Sequence, residues 1–253
     1  MRRFFEEAGL AIRANFVPGL VLNCLLGCGV VVYFFWGGFR EILGVVAEFR
    51  ARWGVGFVVV SYVISCALLP EMMKVICFQG WRVRVQNLRD FLIAAPFFGV
   101  FGIFVDCLYR LQAVVFGEGV DFSTIFFKVL FDQLVFSPLL GTPLALVYFG
   151  WAEGGFRMEA LRRQVAMPRL VWRVFGVLCA GWLVWFPGVS VIYSVPRDLQ
   201  VPVAVTISAF WILIFTTLRR RQEEAMIAAN GAIRGVVEAC EREVLDGEEE
   251  GVG

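Results

Sequence analysis

Residues 126–149 read FFKVLFDQLVFSPLLGTPLALVYF, an apolar run long enough to cross a bilayer as one helix. Inside it lie Asp132, Gln133, Pro138 and Pro143. A charged side chain at mid-depth costs at least ~2.5–3.5 kcal/mol, so it normally faces protein or water and often marks function. The two prolines remove backbone hydrogen bonds that lipid does not replace. This stretch predicts a polytopic membrane protein with a polar interior.

The composition excludes several classes of protein. The chain is 59% hydrophobic and its mean hydropathy is +0.75, far from a soluble average. Its net charge of +1 gives no basic footprint for nucleic acid. It has no histidine, and its seven cysteines form no CxxC pair, so we expect no metal site and no cofactor. We also expect no enzyme, since no serine or cysteine has an identifiable base.

Hydropathy predicts an all-α transmembrane bundle of six spans, which are Phe16–Trp36, Val55–Phe78, Phe91–Leu111, Phe126–Phe149, Val174–Val195 and Val201–Leu218. With a cytoplasmic N-terminus, this count puts most of the 23 Lys and Arg residues on the cytoplasmic side. The alternative is five spans, with 174–195 re-entrant, but the cluster Arg219–Arg221 would then lie outside.

Three regions follow from this pattern. Residues 1–15 predict an interfacial helix, 16–218 the transmembrane bundle, and 219–253 a cytoplasmic amphipathic helix with an acidic tail.

The charged residues inside the spans fall into two layers. Asp106 and Arg110 are four residues apart, and so are Lys128 and Asp132, while Glu71 and Lys74 are three apart. Such layers either line a water-filled path or lock helices together. The candidates for a pore or polar core are Glu71, Lys74, Asp106, Tyr109, Arg110, Lys128, Asp132 and Gln133. The candidates for helix kinks are Pro70, Pro138, Pro143, Trp185 and Pro187, and Gly99 and Gly102 predict close helix contacts.

Three motifs appear in a characteristic order. The first motif is Pro70 and Lys74, followed by Gly80. The second motif contains Lys128, Asp132, Gln133 and Pro138 and ends in Glu153 and Gly154. The third motif contains Trp182, Trp185, Pro187, Tyr193, Val195, Pro196 and Trp211. Over residues 70–218 this order resembles the family of Mpv-seventeen and the twenty-two-kilodalton peroxisomal membrane protein. A family His and Trp are replaced here by Asp106 and Leu108, which indicates a distant, bacterial member. The resemblance implies an organellar-type membrane protein of four spans with channel-like behaviour.

Two functions remain open from the sequence. The first is a weakly selective channel or small-solute pore, and the alternative is a non-conducting structural or scaffolding membrane protein. The expected partners are the lipid bilayer and a small solute or ion, with a homo-oligomer left open and no nucleic acid. We expect the bacterial cytoplasmic membrane with both termini cytoplasmic, the alternative being a mitochondrial inner or peroxisomal membrane.

Overall fold

A computed structural model of the chain describes residues 35–212 continuously and, before them, residues 20, 21, 23–25, 27–29, 31 and 32. The chain divides into two units, Met1–Ile214 and Phe215–Gly253, and every described residue lies in the first. Those residues form helices, turns and short loops without any strand, so the all-α prediction is confirmed for this part of the chain. The predicted N-terminal helix 1–15 and the tail 219–253 lie outside the described residues.

Between residues 37 and 193 the structure has six helices, which are followed by a further helical segment, residues 197–212. The helices are α1 (Gly37–Trp53), α2 (Val55–Phe78), α3 (Val85–Phe116), α4 (Phe122–Glu153), α5 (Met158–Gln164) and α6 (Met167–Tyr193).

Helices α2 and α4 depart from α-helical geometry near their prolines. Helix α2 is π-helical over Ile64–Leu68, just before Pro70, and again over Lys74–Phe78. Helix α4 is π-helical over Asp132–Gly141, with Pro138 inside that segment and Pro143 in the turn after it. Proline lacks the N–H that an α-helix needs and its ring displaces the carbonyl four residues earlier, so the backbone widens locally. Pro70, Pro138 and Pro143 therefore mark irregular helix, as predicted.

Three of the helices, α2, α3 and α4, are long and apolar enough to cross a membrane. A fourth candidate consists of the two arms of α6, Leu170–Cys179 and Val184–Tyr193, which meet at 73°. Pro187 explains the position of this bend, because it withholds a hydrogen bond from the carbonyl of Leu183.

The described residues thus contain three or four candidate spans, which supports the prediction that the chain is a membrane protein. The other two predicted spans, Phe16–Trp36 and Val201–Leu218, lie partly outside the described residues, so six remains a prediction.

The bundle is held by close packing of α2 along α3. A Cβ added at Gly102 of α3 would lie 2.7 Å from the ring of Tyr62 in α2, so only glycine permits this approach. A Cβ added at Gly99 on the same face would lie 3.4 Å from Val59, an ordinary van der Waals distance. The prediction of close helix contacts at these glycines is confirmed, and Gly102 is the position where a side chain does not fit.

The apolar core lies where α2, α3, α4, α6 and residues 197–212 meet. Its largest fully buried side chains include Tyr193, Ile192 and Ile207. Away from this core the long helices expose large apolar side chains, such as Leu92 and Leu139. An apolar outer surface around a partly polar interior is the arrangement expected of a membrane bundle.

Candidate functional site in the buried polar core

The first polar cluster joins the end of α2 to the start of α3. Glu71 accepts from the ammonium of Lys74 at 2.6 Å with one carboxylate oxygen and from Nδ2 of Asn87 at 2.9 Å with the other. Lys74 also contacts Asp90 at 3.3 Å. Both acceptor atoms of Glu71 are thereby satisfied in a buried position. Glu71 and Lys74 do lie together, and Asn87 and Asp90 extend their pairing across two helices.

The second cluster surrounds Asp106 of α3, which is 3% exposed. Nη2 of Arg50 approaches one carboxylate oxygen at 2.8 Å, and Nε of Arg110 approaches the other at 2.8 Å. The pairing of Asp106 with Arg110 agrees with their four-residue spacing. Arg50 arrives from α1 and is itself buried, whereas the side chain of Arg110 is 53% exposed. A buried carboxylate with two cations is electrostatically satisfied.

Arg50 also connects this cluster to the segment after α6. Its Nη1 donates to the backbone carbonyl of Arg197 at 2.8 Å and lies 3.5 Å from Asp198. Arg197 in turn pairs with Glu118, in the loop between α3 and α4, at 3.1 Å. These contacts bring the end of α1, the α3–α4 loop and the residues after α6 to one end of the bundle.

The third cluster surrounds Asp132 of α4, where the π-helical segment begins. Tyr193 donates its hydroxyl to Oδ2 at 2.8 Å, Gln133 donates its amide to Oδ1 at 3.0 Å, and Ser137 lies 3.4 Å from Oδ1. Asp132 is 7% exposed and forms no ion pair with any residue in the described part of the chain. Its environment therefore differs from that of Asp106, because all of its hydrogen-bond donors are neutral.

Lys128 does not form an ion pair with the Asp132 carboxylate. No ion pair joins Lys128 to Asp132, although four residues separate them, so the sequence expectation that these charges neighbour one another is wrong. The backbone between the two residues is still α-helical, since the N–H of Asp132 donates to the carbonyl of Lys128, so the four-residue spacing is kept without an ion pair. Lys128 is 3% exposed and contributes its backbone carbonyl, which accepts from Gln112 at 3.3 Å.

Three buried tyrosines, Tyr62, Tyr109 and Tyr193, belong to the core beside these clusters. The rings of Tyr109 and Tyr193 meet edge to face at 5.6 Å. Tyr109, three residues after Asp106 on α3, therefore packs on the tyrosine that hydrogen-bonds Asp132.

Gln112 of α3 lies beside Tyr193 in this core. It is 1% exposed, and its Oε1 has no hydrogen-bond partner among the described residues. Leaving such an acceptor unsatisfied costs about 1–3 kcal/mol. Within the described residues, the polar core thus contains an unused acceptor on the side chain beside Tyr193, the tyrosine that hydrogen-bonds Asp132.

Sequence reasoning missed four members of this core, namely Arg50, Tyr62, Asn87 and Gln112. Gln112 has a local signal, since Asp106, Tyr109 and Gln112 follow each other at intervals of three on α3. Arg50 has no such sequence signal, because it lies in a helix whose sequence resembles an amphipathic helix on the membrane surface.

The remaining kink candidate, Trp185, packs against the apolar core as a partly buried side chain, two residues before Pro187. Within the described residues, no three cysteine or acidic side chains are grouped to hold a metal ion.

No family model, no curated protein and no solved structure matches this chain. The resemblance to the Mpv-seventeen family therefore stays a prediction from the motifs alone.

Proposed function

We propose that this chain is a membrane protein that conducts an ion or a small solute through its polar core, with Asp132 on the conducting path. The observation that carries the proposal is the contrast between the two buried aspartates. Asp106 has two arginine partners, as a carboxylate that locks helices should. Among the described residues Asp132 has only neutral donors, and an intramembrane carboxylate with no counter-ion in this part of the chain is a candidate for binding a mobile cation or proton.

If the core conducts, the conformation described here is the one in which the conducting path is closed. Asp106, Asp132 and Gln133 are all more than nine-tenths buried, so no water column separates them. The π-helical segment Asp132–Gly141 is the element we expect to move, because a proline-containing π-helix has fewer fixed hydrogen bonds than an α-helix.

The test is single-channel recording of the purified chain in a planar bilayer, with wild type beside Asp132→Asn. The matched control is Asp121→Asn, which removes one negative charge from an exposed position at the start of α4. We expect discrete conductance in wild type and in the control, and an altered conductance in Asp132→Asn. A silent bilayer containing folded, inserted wild-type protein would refute the proposal.

The second candidate is a non-conducting scaffold. The observation that favours it is Arg50, which links α1 to α3 and to Arg197 from a buried position. A scaffold predicts that Asp132→Asn lowers thermal stability in detergent without any change in flux.

We further propose that α6 crosses the membrane despite its bend. Helix α4 begins near Glu118 and ends at Glu153. Helix α5 and the start of α6 follow Glu153, so they lie at the end of α4 that is opposite Glu118. Arg197, beyond the end of α6, pairs with Glu118. Helix α6 must therefore return across the bundle, which supports a spanning rather than a re-entrant segment.

The orientation and the membrane are part of the same proposal. The arginine distribution favours cytoplasmic termini in a six-span bacterial inner-membrane protein. Single cysteines placed at Gly117 and Gly155 in a cysteine-free background test this, since only the first should react with an impermeant thiol reagent applied from outside. Labelling of Gly155 alone would reverse the orientation.

A further inference from the structure

A groove of 550 Å³ opens on the outside of the bundle between the first half of α3 and the end of α4. Its lining is apolar apart from one charge, and it includes Leu88, Leu92, Ile93 and Pro96 from α3 with Tyr148 and Phe156 from the other side. Leu88 and Leu92 are exposed. The hydroxyl of Tyr148 donates to the carbonyl of Ile93 at 2.8 Å, which fixes the separation of the two walls.

The charge in the groove is Arg89. It is exposed and pairs with no acidic side chain among the described residues, and no acidic residue lines the groove. Two more exposed arginines neighbour the lining in sequence, since Arg84 precedes Val85 and Arg157 follows Phe156. The lining itself carries one positive charge, that of Arg89, and no negative one, so it complements an anion.

The length of the groove fits one leaflet of a bilayer. Its lining on α3 runs from Val85 to Pro96, about 16 Å along a helix at 1.5 Å per residue. Half of a ~30 Å hydrocarbon core is about the same length. Helical side chains point toward the helix N-terminus, so headgroups at the start of α3 would lie within reach of the Arg89 guanidinium.

Phe156, one of the residues that line the groove, has an energetically unfavourable backbone conformation. Phe156 has φ 59°, a left-handed conformation that is unfavourable for a bulky side chain. Its ring packs against Trp151 at 5.0 Å and against Tyr148 at 6.3 Å. Strain of this kind, of order 1–3 kcal/mol, clusters at ligand sites, where it holds a side chain in place.

We propose that this groove binds one acyl chain of an anionic phospholipid whose phosphate lies on Arg89. The apolar walls accept the chain, and Arg89 selects an anionic headgroup over a zwitterionic one. This site is separate from the polar core, and it does not depend on whether the core conducts.

The test is thermal unfolding of the full chain in detergent, titrated with phosphatidylglycerol or with phosphatidylcholine of the same acyl chains. We expect phosphatidylglycerol to raise the Tm at lower concentration. Arg89→Gln should weaken its apparent affinity about fivefold, whereas Arg52→Gln, an exposed arginine in α1, should leave it unchanged. Leu88→Trp, which fills the groove and keeps Arg89, should also abolish the preference.

Three outcomes overturn the proposal. The first is equal stabilisation by the two lipids, and the second is an Arg89→Gln variant that binds phosphatidylglycerol as tightly as wild type. The third is an Arg89-dependent rise in Tm with inorganic phosphate that matches the lipid, which would identify an anion site without the acyl chain. If Leu88→Trp does not fold, the Arg89→Gln comparison decides alone.

Discussion

Tyr193, the last residue of α6, donates its hydroxyl to Oδ2 of Asp132 at 2.8 Å across 61 positions of sequence. Tyr193 is 1% exposed and packs edge to face on Tyr109. The contact connects the end of the bent helix to the start of the π-helical segment in α4. Any movement of that segment must therefore break or carry along this hydrogen bond.

Arg50→Gln should destabilise the fold by about 1.5–3 kcal/mol, the usual worth of hydrogen bonds to a charged group. The reason is that Asp106 stays buried after losing one of its two cations. The measurement is thermal or denaturant unfolding in detergent. Arg110→Gln is the matched control, since it contacts the same carboxylate from a half-exposed position and should cost about 0–1 kcal/mol.

A double-mutant cycle measures the interaction energy between Arg50 and Asp106. The variant carrying both Arg50→Gln and Asp106→Asn should be less destabilised than the sum of the single variants, because it buries no unpaired charge. Strict additivity would show that Arg50 acts through the carbonyl of Arg197 rather than through Asp106.

The polar core divides into contacts that the sequence predicts and contacts that it does not. Pairs on one helix, Asp106 with Arg110 and Glu71 with Lys74, follow from spacing alone. Arg50 reaches Asp106 across 56 positions, and nothing in either helix's periodicity indicates which helices meet. The spacing does not produce an ion pair between Lys128 and Asp132, although the backbone between them is α-helical, because neutral donors occupy the Asp132 carboxylate.

Gly102→Ala should destabilise the chain by about 1–3 kcal/mol, the typical cost of overpacking. The new methyl would lie 2.7 Å from the ring of Tyr62, which is buried and has no room to withdraw. Unfolding in detergent measures the effect. Gly99→Ala on the same face is the control, and with its nearest atom at 3.4 Å it should be neutral or slightly stabilising. Equal losses for both variants would contradict the packing described here.

Asp121→Ala should lower the Tm at neutral pH, because Asp121 is the N-cap of α4 and accepts from the backbone N–H of Thr124 at 3.0 Å. Hydrogen bonds from Ser123 and Thr124 hold the pKa of this carboxyl below its usual range. A lowered pKa in the folded state stabilises the protein above the unfolded value of about 3.9, and this contribution is lost as the pH falls below it. The Tm difference between wild type and variant should therefore shrink between pH 7 and pH 3. A difference that grows on acidification would refute this assignment.

The final prediction separates conduction from packing at Asp132. Tyr193→Phe removes the 2.8 Å hydrogen bond and leaves the ring in place, so we expect a loss of about 1–3 kcal/mol in stability. On the proposed function it should also alter conductance, because the closed segment loses its connection to α6. Tyr148→Phe is the control, since its hydroxyl bonds the carbonyl of Ile93 in the surface groove, away from the polar core. It should lower stability modestly and leave conductance unchanged. Conductance that is identical in the two variants, with Tyr193→Phe the less stable, would make Tyr193 a structural contact and favour the scaffold.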